Sequence, residues 1–429
     1  MENVMKKMIG IAALTLSAIV IWSGSIFVIG SEGWLKRPIA TDASAQSFVA
    51  AAADIVERNH RGNLSMLLVE GGEVAASYHS STGKPVDENS VFQVASLSKW
   101  LAAWGVMTLV EDGVIDLDEP VSRYLTRWQL PTGPFDNDGV TTRRLLSHTA
   151  GLDDGLGYAG FESDSAVQSL ESSLDRALDA SPGKSGVVKV GSEPGTSWNY
   201  SGGGYTILQL LIEEVSGQPF TDYMAERVFE PLNMSQSGFD HKKAAGLGLA
   251  ENFDLEGNVE PLKYYSSLAS TSLFTSSRDM ALFLAAQGPG SGQSVLSEAS
   301  MRLMRQPHAS QMGADIWGLG TMLYAPNNAG DFIIGHDGNN EPAINTAARL
   351  DPATGDGIVI LETGSDLLAT RLASEWVFWK TGRVDSLAFA MGLSTWLLWA
   401  GAGSFSILLI GIALGWRRRK RLRNELLTV

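Results

Sequence analysis

The sequence contains no cysteine in 429 residues. The chain therefore cannot form disulfides, bind a metal through thiolates or use a cysteine nucleophile. The net charge is −15, but residues 1–30 contribute +1 and residues 417–429 contribute +5, so the part between them carries −21 and is strongly acidic. Because an acidic surface repels nucleic acid and anionic lipid headgroups, we expect no nucleic-acid partner.

Charged residues are also absent from two long apolar stretches, one near each end. Residues 8–31 follow Lys6 and Lys7, and residues 386–416 precede a basic tail. About 20 apolar residues span a bilayer, so both stretches are long enough to cross a membrane. For the first stretch the alternative is a cleaved signal peptide, but its apolar region exceeds the usual length of roughly 7–15 residues.

The basic residues that flank both stretches lie outside the apolar spans. By the positive-inside rule, both termini are then cytoplasmic and the acidic domain lies on the other side of the membrane. This predicts a cell-membrane protein with an N-terminal anchor (1–31), an extracytoplasmic domain (32–385), a C-terminal transmembrane helix (386–416) and a basic cytoplasmic tail (417–429).

Strand and helix signals divide the central domain into three parts. Two β-strand signals, at 64–69 and 74–78, flank a Gly-Gly turn. Residues 115–265 are mainly helical and rich in loops. Further strand signals follow at 316–324, 332–335, 344–350 and 357–362. We therefore predict an α+β fold, in which an antiparallel sheet built from both ends of the domain is flanked by helices and carries an inserted all-helical lobe.

The most informative stretch is residues 91–110, whose only charge is Lys99. From Ser96 onward it favours a helix that is apolar nearly all round, which is typical of a helix buried in a large domain. Lys99 lies one turn after Ser96 on the same face. Burial favours the neutral form of a lysine, and a serine beside a neutral lysine at a helix N-terminus is an activated nucleophile.

Two further Ser-x-x-Lys sequences, at 81–84 and 181–184, lie among turn residues that neither bury the lysine nor fix its distance from the serine. A purely structural interpretation of 96–99 is also available. In that interpretation Ser96 caps the helix and Lys99 extends to the surface.

Two other stretches support the catalytic interpretation. The sequence has Ser-Leu-Ser-Lys at 96–99, Tyr-Ser-Gly at 200–202 and His-Asp-Gly at 336–338. This order of motifs resembles the serine β-lactamase/penicillin-binding-protein superfamily, and within it the class C β-lactamase-like branch of β-lactamases, D-amino-acid peptidases and esterases. Leu-Leu-Ser-His-Thr-Ala-Gly-Leu at 145–152 and Phe-Thr-Ser-Ser-Arg-Asp at 274–279 are also typical of that branch. The resemblance covers about residues 43–382 and implies a β-lactamase/transpeptidase-like fold.

The resemblance implies that Ser96 is the acylated nucleophile and that Lys99 and Tyr200 form its proton-transfer network. Either of these two groups can be the base, because a coupled pair shares its protons. His336 stands where many members have lysine, and it can donate a hydrogen bond to Tyr200 or to a substrate carboxylate with a pH-dependent charge.

The same resemblance assigns two residues after His336 to substrate binding. Gly338 lets the strand edge approach the substrate. The amide of Asn339 forms an oxyanion hole with the amide of Ser96.

One departure from the family pattern concerns the substrate. The third residue of Tyr-x-Asn usually offers an amide side chain to the substrate, and here it is Gly202. We therefore expect a membrane-anchored serine hydrolase that acts on a cell-wall-type peptide, a β-lactam or an ester, with efficient β-lactam hydrolysis in doubt. The alternatives are a carboxylesterase and a catalytically silent sensor of penicillins or peptides.

The remaining polar candidates are assigned to structure. His148 is interpreted as a structural residue of its loop, Tyr205 as a core residue, and Asp153 and Asp154 as loop acids. The other histidines, for which a surface role is expected, are His60, His79, His241 and His308. No Gly-x-Ser-x-Gly or His-Glu-x-x-His sequence is present, and we expect neither a metal nor a cofactor.

Overall fold

The computed structural model describes residues 2–155 and 157–427. The chain divides into two compact units. The first unit is Pro38–Thr381, and the second unit combines the two ends of the chain, Met1–Arg37 and Gly382–Val429. The strands, numbered in chain order, are β1 (Leu64–Glu70), β2 (Glu73–Ser80), β3 (Val91–Gln93), β4 (Asn252–Phe253), β5 (Val259–Glu260), β6 (Phe274–Ser276), β7 (Ala309–Gln311), β8 (Ala314–Trp317), β9 (Met322–Pro326), β10 (Phe332–Asn340), β11 (Ile344–Asp351) and β12 (Asp356–Thr363). The α-helices are α1 (Glu2–Glu32), α2 (Ala45–Asn59), α3 (Ser98–Glu111), α4 (Thr142–Leu146), α5 (Leu170–Arg176), α6 (Gly202–Ser216), α7 (Phe220–Met224), α8 (His241–Ala245), α9 (Leu268–Thr271), α10 (Ser277–Ala285), α11 (Glu298–Met304), α12 (Leu368–Thr381) and α13 (Ser386–Leu427).

The main sheet is antiparallel and draws on both ends of the first unit. Within the described residues it has eight strands in the order β2-β1-β12-β11-β10-β9-β8-β7. The N-terminal hairpin joins the C-terminal strands through β1 and β12, with Leu64 opposite Glu362. This confirms the predicted sheet. The single strand predicted at 316–324 is divided into β8 and β9, because the chain turns at Gly320, whose φ is 75°.

Strand β10 is longer than the sequence predicts, because β11 pairs with it as far as Asn340 opposite Ile344. The three predicted site residues after Gly335 therefore lie on a strand rather than beyond its end. Strand β9 pairs with β10 only up to Gly335. The β10 edge from residue 336 onward consequently has no β9 partner.

The helical lobe lies between β3 and β6. It contains α4 to α9 and also a short antiparallel ribbon of β4 and β5. The prediction that the lobe is all-helical is therefore wrong in this detail. The ribbon turns at Gly257, which has a φ of 88°. The Asp254 carboxylate accepts hydrogen bonds from the amides of Glu256 and Asn258 and so stabilises that turn.

Helix α3 lies at the centre of the core. It starts at Ser98, two residues later than predicted, because Ala95–Leu97 form a 3-10 turn. Trp100 and Trp104 are fully buried, and each packs at 5.0 Å between ring centroids against Phe283 of α10. An apolar helix surrounded in this way removes every side chain near its start from bulk water.

The second unit contains two helices long and apolar enough to cross a membrane, Met5–Glu32 and Ser386–Arg421. They pack side by side. A Cβ at Gly403 would lie 2.0 Å from the indole nitrogen of Trp22, so only glycine leaves room for that ring. The hydroxyls of Ser23 and Ser404 lie 3.1 Å apart. Farther along the pair, Gly30 lies against Trp396 and Gly411 against Thr15. The contacts therefore run in opposite chain directions, and the two helices are antiparallel.

Glu362 is a carboxyl group in the centre of the main sheet. It lies on β12 opposite Asn345 of β11 and is fully buried. Burial raises the pKa of Glu362 well above its usual value. The folded protein therefore holds this side chain as the neutral acid at neutral pH.

We expect Glu362→Gln to stabilise the protein increasingly as pH rises from 5 to 8. The folded pKa is raised, so the stability that the acid contributes is fully present below the unfolded pKa and is lost as pH rises toward the folded pKa. This loss has a slope of at most about 1.4 kcal/mol per pH unit, and glutamine does not show it. Chemical unfolding of the full chain in detergent at several pH values measures the difference. Glu256→Gln, at an exposed position, is the control, and a difference for Glu362→Gln that does not change with pH would contradict a buried neutral acid.

Candidate active site

Ser96 and Lys99 are in direct contact. The Lys99 ammonium nitrogen lies 3.0 Å from the hydroxyl oxygen of Ser96 and donates to the carbonyl oxygen of Ser270 at 2.7 Å. Ala95, just before the serine, has a φ of 49°, a left-handed conformation that is strained for a residue with a Cβ. The 3-10 turn thus aims the Ser96 hydroxyl at the lysine, and the predicted proximity of the pair is found.

The Ser270 carbonyl is placed by pairing between two distant segments. Strand β3 pairs with β6 just before the 3-10 turn that carries Ser96. The amide of Val94 donates to the carbonyl of Leu273 at 3.0 Å, and the amide of Leu273 donates to the Ser98 hydroxyl at 2.9 Å. These bonds hold the end of α9 against the start of α3. The carbonyl oxygen of Ser270, in α9, thereby contacts the Lys99 ammonium group.

Lys99 is only 1% exposed. Burial lowers its pKa to about 7, and the negative charge of Asp154 opposes this lowering. A neutral lysine, whose lone pair can accept the Ser96 proton, is therefore accessible near neutral pH. The alternative in which Lys99 extends to the surface is therefore wrong.

Tyr200 is the third member of the cluster and precedes α6. Its ring centroid lies 4.9 Å from the Lys99 nitrogen. Burial raises the pKa of the phenol above its usual value, and a hydrogen bond with the Ser96 side chain only partly offsets this. The phenol is therefore protonated near neutrality. Of the two groups that the sequence leaves open as the base, the structure favours Lys99.

His148 holds Tyr200 in place from both sides. Its carbonyl accepts from the amide of Asn199 at 2.8 Å, and its Nδ1 accepts from the amide of Ser201 at 3.1 Å. Its ring lies 4.4 Å from that of Tyr200 between centroids. Burial, followed by the charge of Lys99, lowers the pKa of His148 well below its usual value, so the ring is neutral. The residue is structural, as the sequence indicates, but it acts directly on the position of Tyr200.

Asp154 is a buried acid that sequence reasoning assigns to a loop. Its carboxylate accepts a hydrogen bond from the amide of Gly203 at the start of α6. Burial raises the pKa of Asp154. Its charge acts on Lys99, so the acid is part of the site. Neighbouring Asp153 instead lies 3.9 Å from the ammonium of Lys189 near the surface.

Gly338 of β10 packs closely against the turn that carries Ser96. A Cβ there would lie 2.1 Å from the carbonyl oxygen of Val94 and 2.4 Å from the Thr346 hydroxyl. The glycine therefore lets strand β10 contact the backbone before Ser96. The approach to substrate predicted for Gly338 stays a prediction.

His336 is fully buried, and its Nδ1 donates to the carbonyl oxygen of Asp337 at 2.6 Å. Burial, together with the positive charges of Lys99 and Arg349, lowers the pKa of His336 to about 3. The pH-dependent charge expected near neutrality is therefore wrong, because the imidazole is neutral there. Its Nε2 has no hydrogen-bond partner within residues 2–155 and 157–427, so the expected bond to Tyr200 is not made.

A cavity of about 230 Å³ opens beside the Ser96 hydroxyl. Asn339 lies on its wall, so its position agrees with the role expected from the sequence, which remains a proposal. The described residues that line it are Ser96, Gly157, Tyr158, Ser181, Ser270, Thr271, Asn339, Asn340 and Glu341.

Gly202 lies where the family pattern usually has asparagine, and the space beside it is occupied. A Cβ there would lie 2.9 Å from the ring of Tyr158 and 3.3 Å from the hydroxyl oxygen of Ser270. The Tyr158 hydroxyl is fixed 2.9 Å from that of Thr206. An aromatic wall therefore replaces the amide side chain, and neither Tyr158 nor Ser270 carries a sequence motif that would reveal this.

The remaining histidines lie outside this cluster. His60 contacts the carbonyl oxygen of Thr363 at 2.9 Å, His79 the Ser65 hydroxyl at 3.0 Å, and His241 stacks on Tyr264. His308 lies near the Leu303 carbonyl. Within the described residues, no group of three or more His, Cys, Asp or Glu side chains is arranged to hold a metal.

We expect the rate at which a fluorophosphonate labels Ser96 to rise with pH and to have a midpoint near 7, as Lys99 loses its proton. Asp154→Asn removes a negative charge that favours the protonated lysine, so the midpoint should move to lower pH. Asp153→Asn is the matched control and should leave the midpoint unchanged. A midpoint that stays fixed in Asp154→Asn would show that Asp154 does not act on Lys99.

The chain is similar in sequence and in fold to several known proteins. The chain is 34% identical over 185 residues to penicillin-binding protein 4* of Bacillus subtilis, covering 42% of this chain and 38% of that protein. It is 29% identical over 304 residues to penicillin-binding protein 4 of Amycolatopsis lactamdurans, covering 67% and 75%. The fold is similar to that of the octameric penicillin-binding protein homologue from Pyrococcus abyssi, with a TM-score of 0.65, 23% identity and coverage of 79% and 77%. The family model described as Beta-lactamase matches residues 48–375, so the chain belongs to the β-lactamase family of serine hydrolases.

Proposed function

We propose that this protein is a membrane-anchored serine acyl hydrolase that forms an acyl-enzyme on Ser96 at the extracytoplasmic face. The observation that carries the proposal is the 3.0 Å contact between Ser96 and a lysine whose pKa is about 7. The cavity beside the serine provides room for an acyl group. Esters, peptides of the cell-wall type and β-lactams all present the carbonyl carbon that such a pair attacks.

In the proposed acylation step, the lone pair of Lys99 accepts the Ser96 proton while the serine oxygen bonds to the substrate carbonyl carbon. The amides of Ser96 and Asn339 donate to the oxyanion that forms. When the carbon–heteroatom bond breaks, the leaving group takes a proton from the cluster, and protonated Tyr200 is placed to relay it. Water then attacks the acyl-enzyme, with Lys99 again accepting a proton. As the bond between the acyl carbon and the Ser96 oxygen breaks, that oxygen takes the proton back from Lys99 and the carboxylic acid leaves.

The absence of an amide side chain at Gly202 bears on the substrate. A β-lactam or peptide presents an amide that the asparagine of the family pattern would bind, whereas a simple ester does not need that contact. Since Tyr158 already fills the space beside Gly202, we infer that esters are favoured over β-lactams.

The proposed location follows from the two membrane-length helices and their flanking charges. Lys6 and Lys7 precede the first span, and a run of basic residues from Arg417 follows the second. The positive-inside rule then puts both termini in the cytoplasm and Pro38–Thr381 outside it.

We expect Ser96→Ala to abolish fluorophosphonate labelling and ester hydrolysis without loss of folding, because the substitution removes only a hydroxyl. Lys99→Ala should lower kcat/KM at least about 10³-fold, as expected for a member of a unit that activates a nucleophile. Intact-protein mass spectrometry and stopped assays measure both effects. A wild-type protein that binds penicillin or peptide but never forms a covalent adduct would instead support a silent sensor.

Cysteines introduced one at a time into this cysteine-free chain test the topology. A cysteine at exposed Glu256 should react with a membrane-impermeant maleimide in intact cells, because we place that residue outside. A cysteine at Thr428 should react only after the cells are opened. The reverse pattern would contradict the proposed orientation.

A further inference from the structure

Most polar side chains on the wall of the cavity are already hydrogen-bonded within the protein. The Asn340 amide nitrogen donates to the carbonyl of Tyr158 at 3.1 Å and to the hydroxyl of Tyr265 at 2.8 Å. Its amide oxygen accepts from the amide of Glu341 at 2.9 Å. The side chain of Asn339 donates to the carbonyl of Asp366. These amides fix the wall and are not available to replace the one missing at residue 202.

Ser270 differs from them. Its carbonyl holds Lys99, but its hydroxyl oxygen is buried and has no hydrogen-bond partner in the described parts of the chain. The residue is 1% exposed and lines the same cavity as Ser96. A buried hydroxyl without a partner is unfavourable, because it has lost water without gaining a replacement. A bound group that offers a hydrogen bond would remove this penalty.

The position of that hydroxyl relates it to the missing amide. It lies 3.3 Å from the point where a Cβ on Gly202 would start. The hydroxyl therefore lies next to the place from which the asparagine of the family pattern extends. A serine hydroxyl can both donate and accept, so it can pair with either the N–H or the carbonyl of an amide.

We propose that Ser270 is a substrate-binding residue that recognises an amide in the acyl part of the substrate, and that N-acylamino esters are the preferred substrate class. This rests on the proposed function, because it requires an acyl group attached to Ser96. The acyl group remains in the cavity after the leaving group departs, so the Ser270 contact acts through the whole reaction. Tyr158 gives the same cavity an aromatic wall against which the acyl chain packs.

Two esters with chains of equal length test this proposal: the 4-nitrophenyl esters of N-acetylglycine and of pentanoic acid. The wild-type enzyme should prefer the acetylglycinate, measured as the ratio of the two kcat/KM values. Ser270→Ala should lower this ratio about tenfold, which corresponds to about 1.4 kcal/mol. Ser272→Ala, at a buried serine of the same segment that does not line the cavity, is the matched control and should leave the ratio unchanged.

The melting temperature separates a binding role from a structural one. If the Ser270 hydroxyl has no internal partner, Ser270→Ala should not lower the melting temperature. An equal loss of rate on both esters, together with a lower melting temperature, would overturn the proposal in favour of a structural hydroxyl. An unchanged ratio with normal Ser96-dependent fluorophosphonate labelling would overturn it while leaving the proposed function intact. If the wild-type protein is not labelled by the fluorophosphonate at all, both the role of Ser270 and the proposed function would be overturned.

Discussion

The ammonium group of Lys99 has exchanged water for two oxygen atoms, the hydroxyl of Ser96 and the carbonyl of Ser270. Everything else in the site depends on this exchange. Helix α3 is apolar on all sides and lies in the centre of the core, so the lysine at its start cannot reach bulk solvent. A lysine in water would be charged near neutrality and could not accept a proton. Burial thus converts a common side chain into a base.

The groups around Lys99 are consistent with that role. Burial keeps the imidazoles of His148 and His336 neutral and keeps the phenol of Tyr200 protonated. Asp154 supplies a negative charge that limits how far the lysine pKa falls. Lys99 therefore changes its protonation state near pH 7, while the rings of His148, His336 and Tyr200 stay uncharged.

The sequence predicts those parts of the site that are local in the chain or carry a motif. The spacing of Ser96 and Lys99 puts them one helical turn apart, so their contact follows from geometry that the sequence already contains. Tyr200 and His336 could be identified only through the family resemblance, since nothing in the spacing brings them near Ser96. The sheet was predictable because its strands alternate with clear turns.

The parts that the sequence did not reveal depend on tertiary contacts. Ser270 reaches Lys99 because β3 pairs with β6, segments that are far apart in the chain. Asp154 looks like any loop acid until the start of α6 is placed against it. The charge of His336 was misjudged because burial cannot be read from three residues on a strand. Each error concerns solvent access, which only the assembled fold determines.

The sheet that joins the two ends of the first unit also determines when the site can exist. Strand β1 is synthesised early, but its partner β12 is synthesised only near the end of that unit. Until then the β1–β2 hairpin has no neighbour in the sheet, and an isolated hairpin is only marginally stable. The Ser96 turn likewise lacks β10, whose backbone contacts it at Gly338. The surroundings of Ser96 are therefore incomplete until the chain has been made almost to its last helix.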